Sequence, residues 1–200
     1  MKTLSRMYKL IQWPPYFLLA LILGLSIAST PAAAQESDTG VGQVAGFGGG
    51  VFGLGAHGAV GASFASPTAK HIVPFLEVSY APLSNYDFRY GSNDLGKGLH
   101  RSRMFDFNGG LKIRFPNKTH SVPYIGLGAG LLHFSASTYS SGFGTAATVT
   151  QTRNEAAGNL SVGMLYYFTD HFGLQPELKG YLAQNIHYVR ASIGLFYQFP

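Results

Sequence analysis

The fold of this chain is decided by residues 188–199, which read YVRASIGLFYQF. Every second residue there is apolar: Val189, Ala191, Ile193, Leu195, Tyr197 and Phe199. The residues between them are a charge, two polar residues, a glycine and two aromatics: Arg190, Ser192, Gln198, Gly194, Tyr188 and Phe196. A period of two is that of a β-strand, whose successive side chains point to opposite faces. The segment therefore predicts a strand with one hydrocarbon-like face and one crowded, more polar face.

The same alternation recurs along the rest of the chain from Gln43 onward. Apolar side chains share one face in five further segments: 72–80, 105–115, 124–131, 159–168 and 172–182. The glycine-rich stretch 40–66 predicts two more strands, which meet around residues 54–57. The pattern thus predicts eight strands in all.

The composition is unusual for a soluble domain. Of the 200 residues, 46% are hydrophobic, 14% are aromatic and 12% are charged, against a usual charged share of roughly 25%. The chain has no cysteine, which excludes a disulfide scaffold, and its aromatic content argues against disorder. A soluble β-sandwich would present its charged faces to water. The more polar faces here are rich in glycine, serine and aromatic residues, which suits a cramped interior.

Strands of this length are able to cross a membrane. Each predicted strand has about 9–14 residues, and about 9–11 are enough to span a bilayer when tilted. An even number of strands closed into a barrel pairs every backbone group within the lipid. We therefore predict an all-β fold, an eight-stranded antiparallel transmembrane up-and-down β-barrel, over residues 43–200.

The first 34 residues predict an export signal. Three basic residues precede an apolar run over residues 17–28, and an alanine cluster ends at Ala34. This order is that of a cleaved secretory signal peptide, and the run is too short for a transmembrane helix. Cleavage after Ala34 leaves a short N-terminal segment, 35–42, and the barrel. The mature chain then carries 11 basic and nine acidic residues, without a basic cluster that would bind nucleic acid.

The connections between predicted strands alternate in length. Three even-numbered connections are short and turn-like: 66–70, 116–120 and 169–170. Two odd-numbered connections, Leu83 to Arg101 and Ser137 to Asn154, are long and polar, whereas the first and the seventh are short. Barrels of this kind have short periplasmic turns and longer external loops. We therefore expect both termini in the periplasm and two prominent external loops, whose ligand the sequence does not name.

This pattern over residues 43–200 resembles the small outer-membrane β-barrels of the OmpA-transmembrane-domain and OmpX type. The closest part of the resemblance is the final strand, in which Ile193, Leu195, Tyr197 and Phe199 resemble the signal read by the outer-membrane assembly machinery. The family pattern ends on the aromatic residue, whereas this chain adds Pro200. The resemblance implies location in the bacterial outer membrane, passage with periplasmic chaperones, and contact with outer-membrane lipids and lipopolysaccharide.

Seven charged residues fall on the faces that would point inward: Glu77, Asp106, Lys112, Arg114, Glu177, Lys179 and Arg190. An eight-stranded barrel has an interior that side chains just fill. We therefore expect these charges to form a polar network that plugs the lumen, and a structural or surface-binding role for the protein. A small channel with a gated ion path is the alternative.

A second alternative is a lipid hydrolase. His133 and Ser135 lie two residues apart, so a strand would place an imidazole and a hydroxyl on one face. Lipid A deacylases, which are also outer-membrane barrels, have a similar His and Ser spacing, but their motif continues with Asn where this chain has Ala136. Glu155 is the candidate acidic partner.

Two other patterns carry no cofactor prediction. Gly48 to Gly53 and Gly53 to Gly58 both match G-x-G-x-x-G, but a small-residue strand pattern follows instead of the helix that a dinucleotide site needs. The seven histidines lack the short spacing of metal ligands. We expect neither a cofactor nor a metal ion.

Overall fold

The computed structural model describes residues 42–66, 71–84, 100–117, 119–142, 145–184 and 186–199. The predicted signal peptide (1–34), most of the short segment after it, and Pro200 lie outside the described residues. Eight strands follow one another in chain order: β1 (Gln43–Phe52), β2 (His57–Ala65), β3 (Ile72–Ser84), β4 (His100–Arg114), β5 (Ser121–Gly142), β6 (Thr145–Tyr167), β7 (Phe172–Ala183) and β8 (His187–Gln198). Among the described residues, no helix is long and apolar enough to cross a membrane.

The eight strands form one closed, antiparallel, up-and-down barrel, as predicted. Closure is made by β1 and β8, whose register runs from Gln43 opposite Gln198 to Phe52 opposite Val189. Just beyond this ladder, the backbone N–H of Phe199 donates to the carbonyl of Gly42 at 2.9 Å. Both described ends of the chain therefore lie at one end of the barrel, which we call the turn end. The odd-numbered connections lie at the opposite, loop end.

The outer surface of the barrel is apolar, as the alternation predicted. Large hydrophobic side chains point outward on all eight strands, and many are about half exposed, including Leu127 at 66% and Ile193 at 60%. A continuous apolar surface of this extent is not stable in water. The closed ladder together with this surface is the arrangement that a β-barrel requires in lipid.

Glycines on the inner wall give room to large side chains on the neighbouring strands. Gly163 lies opposite Tyr124, and a Cβ added to Gly163 would collide with the phenol ring. Gly61 is related in the same way to Phe47. The glycine repeat near the N-terminus has a different explanation: Gly53 and Gly55 adopt φ values of +104° and +97° in the β1–β2 turn. A strand follows that turn, so the G-x-G-x-x-G matches do not precede a helix.

The prediction of a long loop over Ser137 to Asn154 is wrong. β5 continues to Gly142 and β6 begins at Thr145, and these two residues are paired across the hairpin. The strands have 22 and 23 residues, more than the predicted 9–14. Polar residues occupy both odd and even positions of this segment, and the absence of an apolar face favoured the prediction of a loop. β-Branched residues such as Thr148, Val149 and Thr150 favour a strand, and a strand that projects beyond the lipid needs no apolar face.

The bounds of the described strands agree with the positions predicted for the other connections, and most of the predicted turn 66–70 lies outside the described residues. The turns between β4 and β5 and between β6 and β7 are short, and so are the first and seventh connections. The other predicted long loop lies between Ser84 and His100, and residues 85–99 are outside the described part of the chain.

Candidate functional site

The structure places all seven inward-facing charges of the sequence analysis inside the barrel. All are buried, and the most enclosed are Lys179, at 0% exposure, with Asp106 and Arg190 at 1% each. They are contributed by β3, β4, β7 and β8, so the register of four strands brings them to one part of the lumen. A charge removed from water in this way is stable only when it is paired and hydrogen-bonded.

Two glutamates and three cations form the centre of this network. Glu77 binds Lys179 through Oε2 at 2.8 Å and Arg190 through Oε1 at 2.6 Å. Glu177 contacts Lys112 and Lys179 at 3.2 Å each and Arg190 at 3.4 Å. Each carboxylate thus bridges cations from different strands, and the interactions cross-link opposite walls of the barrel.

Asp106 extends the network toward the loop end. Its Oδ2 accepts hydrogen bonds from Tyr181 at 2.7 Å and Asn108 at 3.0 Å, and it lies 3.8 Å from Nη1 of Arg190. The ring of Tyr181 in turn stacks on Tyr188, with ring centroids 4.3 Å apart. Aromatic residues therefore surround the acid on the loop side.

Aromatic rings also enclose the cations. The Lys112 ammonium lies 4.7 Å from the centroid of Tyr124 and 5.1 Å from that of Phe75. The Arg190 guanidinium lies 4.4 Å from the centroid of Phe47. These contacts stabilise cations that water does not reach, since cation–π attraction is strongest in desolvated sites.

Arg114 differs from the other six charged residues because its side chain is hydrogen-bonded to an amide and not to a carboxylate. Its Nη2 donates to Oε1 of Gln43 at 2.5 Å. Gln43 donates to Gln175 at 3.2 Å, Gln175 donates to the hydroxyl of Tyr124 at 2.8 Å, and Tyr124 donates to Glu177 at 2.8 Å. A continuous hydrogen-bonded chain thus links Arg114 at the turn end to the central ion pairs.

Several polar members of this network were not predicted from the sequence, among them Gln43 and Asn108 as hydrogen-bonding partners. Both stand at inward positions of their strands, so the alternation contained the necessary signal. What the sequence lacked was the cross-barrel geometry that joins residues more than one hundred positions apart, as for Glu77 and Arg190.

The lumen at the loop end is filled by an apolar cluster that the sequence did not reveal. We call this cluster the apolar plug; besides Tyr181 and Tyr188, its larger members are Val51, Leu54, Leu83, Met104, Leu132, Phe134 and Ile186. Leu83 and Leu132 are fully buried, and Phe134 is 1% exposed. A smaller cluster at the turn end contains Leu165 and Phe196. Among the described residues, the polar network therefore lies between two apolar clusters.

His133 and Ser135 are not assembled into a hydrolytic site. His133 is exposed on the outer face of β5, and its Nδ1 lies 2.6 Å from Oδ1 of Asn154. Ser135 is only 4% exposed, which removes its hydroxyl from an incoming ester. Glu155 is buried on the inner face and forms an ion pair with Arg153. The candidate acid thus lies on the opposite side of the sheet from the imidazole.

The predicted assembly signal is accessible along the outside of β8. Ile193, Leu195 and Tyr197 all point outward and are exposed. Phe199 follows the strand, and its ring packs edge-on against that of Tyr197 at 5.5 Å. These residues continue the aromatic and aliphatic surface at the turn end.

No group of three potential metal ligands occurs among the residues that the structure describes. Six of the seven histidines lie at or next to strand ends, and His133 is the exception. Amphipathic rings favour the boundary between lipid and water.

Comparison with known proteins identifies the fold. No protein-family model and no curated protein matches the sequence. A major outer membrane protein from Thermus thermophilus has a similar structure, with a TM-score of 0.62, 13% identity, and coverage of 80% of this chain and all of the other. Neisserial surface protein A (NspA) has a similar structure with a TM-score of 0.52 and 14% sequence identity. Ail, the attachment invasion locus protein of Yersinia pestis, has a TM-score of 0.52 and 12% sequence identity. Each of these two matches covers 80% of this chain and 97% of the other chain.

These matches define the class of protein. The chain has the fold of the small eight-stranded outer-membrane β-barrels, as the resemblance in the sequence implied. At these identities the similarity concerns the fold.

Proposed function

We propose that the protein is an integral barrel of the bacterial outer membrane that presents a β-hairpin at the cell surface for binding. Its termini lie in the periplasm, and periplasmic chaperones and the outer-membrane assembly machinery deliver it to the membrane. The observation that carries the proposal is the combination of a closed barrel, an apolar outer surface and two strands that extend beyond the others.

The projecting hairpin is the binding element. β4 pairs with β5 as far as Thr138, and β7 pairs with β6 only from Ala157 onward. Residues 145–156 of β6 are therefore paired along one edge by β5 within the described part of the barrel, and their other edge extends beyond β7. An exposed strand edge offers backbone N–H and C=O groups to an extended segment of a partner protein.

The filled lumen favours a structural role over a channel. The cross-barrel ion pairs hold the walls together, and the apolar plug lies between them and the loop end. We expect no steady conductance from purified protein in planar bilayers. Stepwise currents that persist at neutral pH would support the channel alternative instead.

The arrangement of His133, Ser135 and Glu155 does not favour hydrolysis. We expect identical lipid A mass spectra from cells that express the wild-type protein and the Ser135→Ala variant. Loss of a deacylated lipid A species in the variant would instead establish the enzyme.

Fractionation tests the location and the topology together. We expect the protein in the outer-membrane fraction, with faster gel migration before boiling than after it. Protease added to intact cells should cut within residues 139–156 and leave the turns at the opposite end uncut. Recovery of soluble protein from the periplasm, or cleavage of those turns in intact cells, would contradict the proposal.

A further inference from the structure

One cation inside the barrel is left without a counter-charge in the described part of the chain. The central network contains three carboxylates and three cations: Glu77, Asp106, Glu177, Lys112, Lys179 and Arg190. At the loop end, Glu155 pairs with Arg153. These charges balance one another, and none of the described ion pairs includes Arg114. Over the described residues, the lumen therefore carries one uncompensated positive charge, at Arg114.

Arg114 is held at the turn end of the lumen, away from bulk water. It is the last residue of β4, and its guanidinium reaches Gln43 on β1, although β2 and β3 lie between these strands in the barrel. The residue is 8% exposed, and its Nε is buried without a hydrogen-bond partner among the described groups. Arginine keeps its proton in proteins, so the cost of burying its charge is relieved by an anion and not by deprotonation.

The hydrogen bonds around Arg114 leave donors rather than acceptors. Oε1 of Gln43 accepts from Arg114, and Oε1 of Gln175 accepts from Gln43. Gln198, which lies opposite Gln43 in the closing ladder, accepts from the Tyr167 hydroxyl at 3.0 Å through its oxygen. The oxygens of these three amides are thus occupied, whereas Nε of Arg114 and the N–H groups of Gln198 have no acceptor among the described side chains. We call Arg114, Gln43 and Gln198 the turn-end site.

We propose that the turn-end site binds one small inorganic anion of the size of chloride, which enters from the water at the turn end. The excess of one positive charge matches a single negative charge, and a metal cation would be repelled. A water molecule could accept the same hydrogen bonds, but it would leave the charge uncompensated. Gln43 and Gln198 are each 4% exposed, so the site is too enclosed for a larger organic anion.

Chloride-dependent stability of the refolded barrel tests this inference. The protein is unfolded by urea in phospholipid vesicles and followed by heat-dependent gel mobility, in buffers where chloride replaces gluconate at constant ionic strength. Gluconate is too large to enter the site. An ion that binds only the folded state stabilises it by mass action, so chloride at ten times its dissociation constant should lower the unfolding equilibrium constant about tenfold. Equal stability in both salts would overturn the inference.

Two variants of the site separate anion binding from a general effect of salt. Arg114→Gln removes the charge, and Gln43→Glu supplies a carboxylate beside the guanidinium, since Oε1 of Gln43 lies 2.5 Å from Nη2. Both variants should lose the chloride dependence, because no uncompensated charge remains. Arg103→Gln is the matched control: it removes the same charge from the same strand, but from an exposed position, and should keep the dependence. Persistent dependence in either site variant, or its loss in the control, would overturn the inference.

Two carboxylates of the chain itself are the competing occupants. Glu36 and Asp38 precede β1 in the sequence, and both lie outside the described residues. We expect Glu36→Gln combined with Asp38→Asn to show the chloride dependence of the wild type. If chloride stabilises only this double variant, the chain supplies its own carboxylate and the assignment of a free anion is wrong.

Anomalous scattering from crystals soaked in bromide locates the ion directly. We expect a bromide peak within hydrogen-bond distance of Nε of Arg114 in the wild type, and none at that place in Gln43→Glu. Water alone beside Arg114 in the soaked wild-type crystal would overturn the inference. Neither measurement depends on where the protein is located in the cell, so failure of the site and failure of the proposed function are distinguishable.

Discussion

Substitution of Glu77 by Gln is the most informative perturbation of the interior. Glu77 neutralises Lys179 and Arg190 through contacts of 2.8 and 2.6 Å, and both cations are almost completely buried. Glutamine retains the shape and the ability to accept a hydrogen bond, but it removes the negative charge. Two cations then face each other with less compensation in a site that water does not reach.

The size of the effect follows from these contacts. Each charge-assisted hydrogen bond contributes about 1.5–3 kcal/mol, and breaking one partner of a buried pair costs about 3–5 kcal/mol. Glu177 offsets part of the loss because it remains 3.2 Å from Lys179 and 3.4 Å from Arg190. We therefore expect Glu77→Gln to lower the free energy of unfolding by about 3–4 kcal/mol.

The assay is urea unfolding of the barrel refolded in phospholipid vesicles, followed by heat-dependent gel mobility. Tryptophan fluorescence is unsuitable because the single tryptophan of the chain lies within the predicted signal peptide. The double variant Glu77→Gln with Lys179→Met should recover part of the loss, since it removes one of the two cations that lost the Glu77 carboxylate. A decrease of less than about 1 kcal/mol in the single variant, or no recovery in the double variant, would refute the reasoning.

Three further predictions concern packing and assembly. Gly163→Ala should destabilise the barrel by about 1–3 kcal/mol because the new Cβ meets the buried ring of Tyr124. Gly158→Ala should have little effect because the space around Gly158 is open. Equal urea midpoints for the two variants would contradict this prediction. Phe134→Ala should lower the free energy of unfolding by about 3–5 kcal/mol, because it leaves a cavity in the apolar plug, and Leu131→Ala on the lipid side should lower it less. A larger decrease for Leu131→Ala would show that the plug is not tightly packed. Deletion of Phe199 and Pro200 should reduce the yield of heat-modifiable protein in the outer membrane, and an unchanged yield would argue against the assembly signal.

The barrel was predictable because one physical rule acts along its whole length. Lipid on one side and a narrow lumen on the other require alternate residues of opposite character, as in residues 188–199. The rule stops applying where strands leave the lipid. For this reason the sequence of residues 137–154, in which polar residues occupy both odd and even positions, predicts a loop, although residues 137–142 and 145–154 form paired strands.

The sequence was enough to predict which charged residues lie inside the barrel, but not which of them interact with one another. The parity of each strand identified the seven charges, but which carboxylate meets which cation depends on the register around the whole barrel. The apolar plug was hidden for a related reason. Leu131 and Leu132 are adjacent and chemically alike, yet Leu131 faces lipid and Leu132 is buried in the lumen. A local pattern does not distinguish an apolar residue that faces lipid from one that fills a core.

A spin-label scan of β8 tests the central claim that one face of each strand contacts lipid. The chain has no native cysteine, so single cysteines at positions 189–198 are labelled without background. In vesicles, accessibility to oxygen should peak at Ile193, Leu195 and Tyr197 and fall at Ser192, Gly194 and Phe196, which point into the barrel. Accessibility to a water-soluble nickel reagent that is high and equal at all these positions would contradict a lipid-embedded barrel.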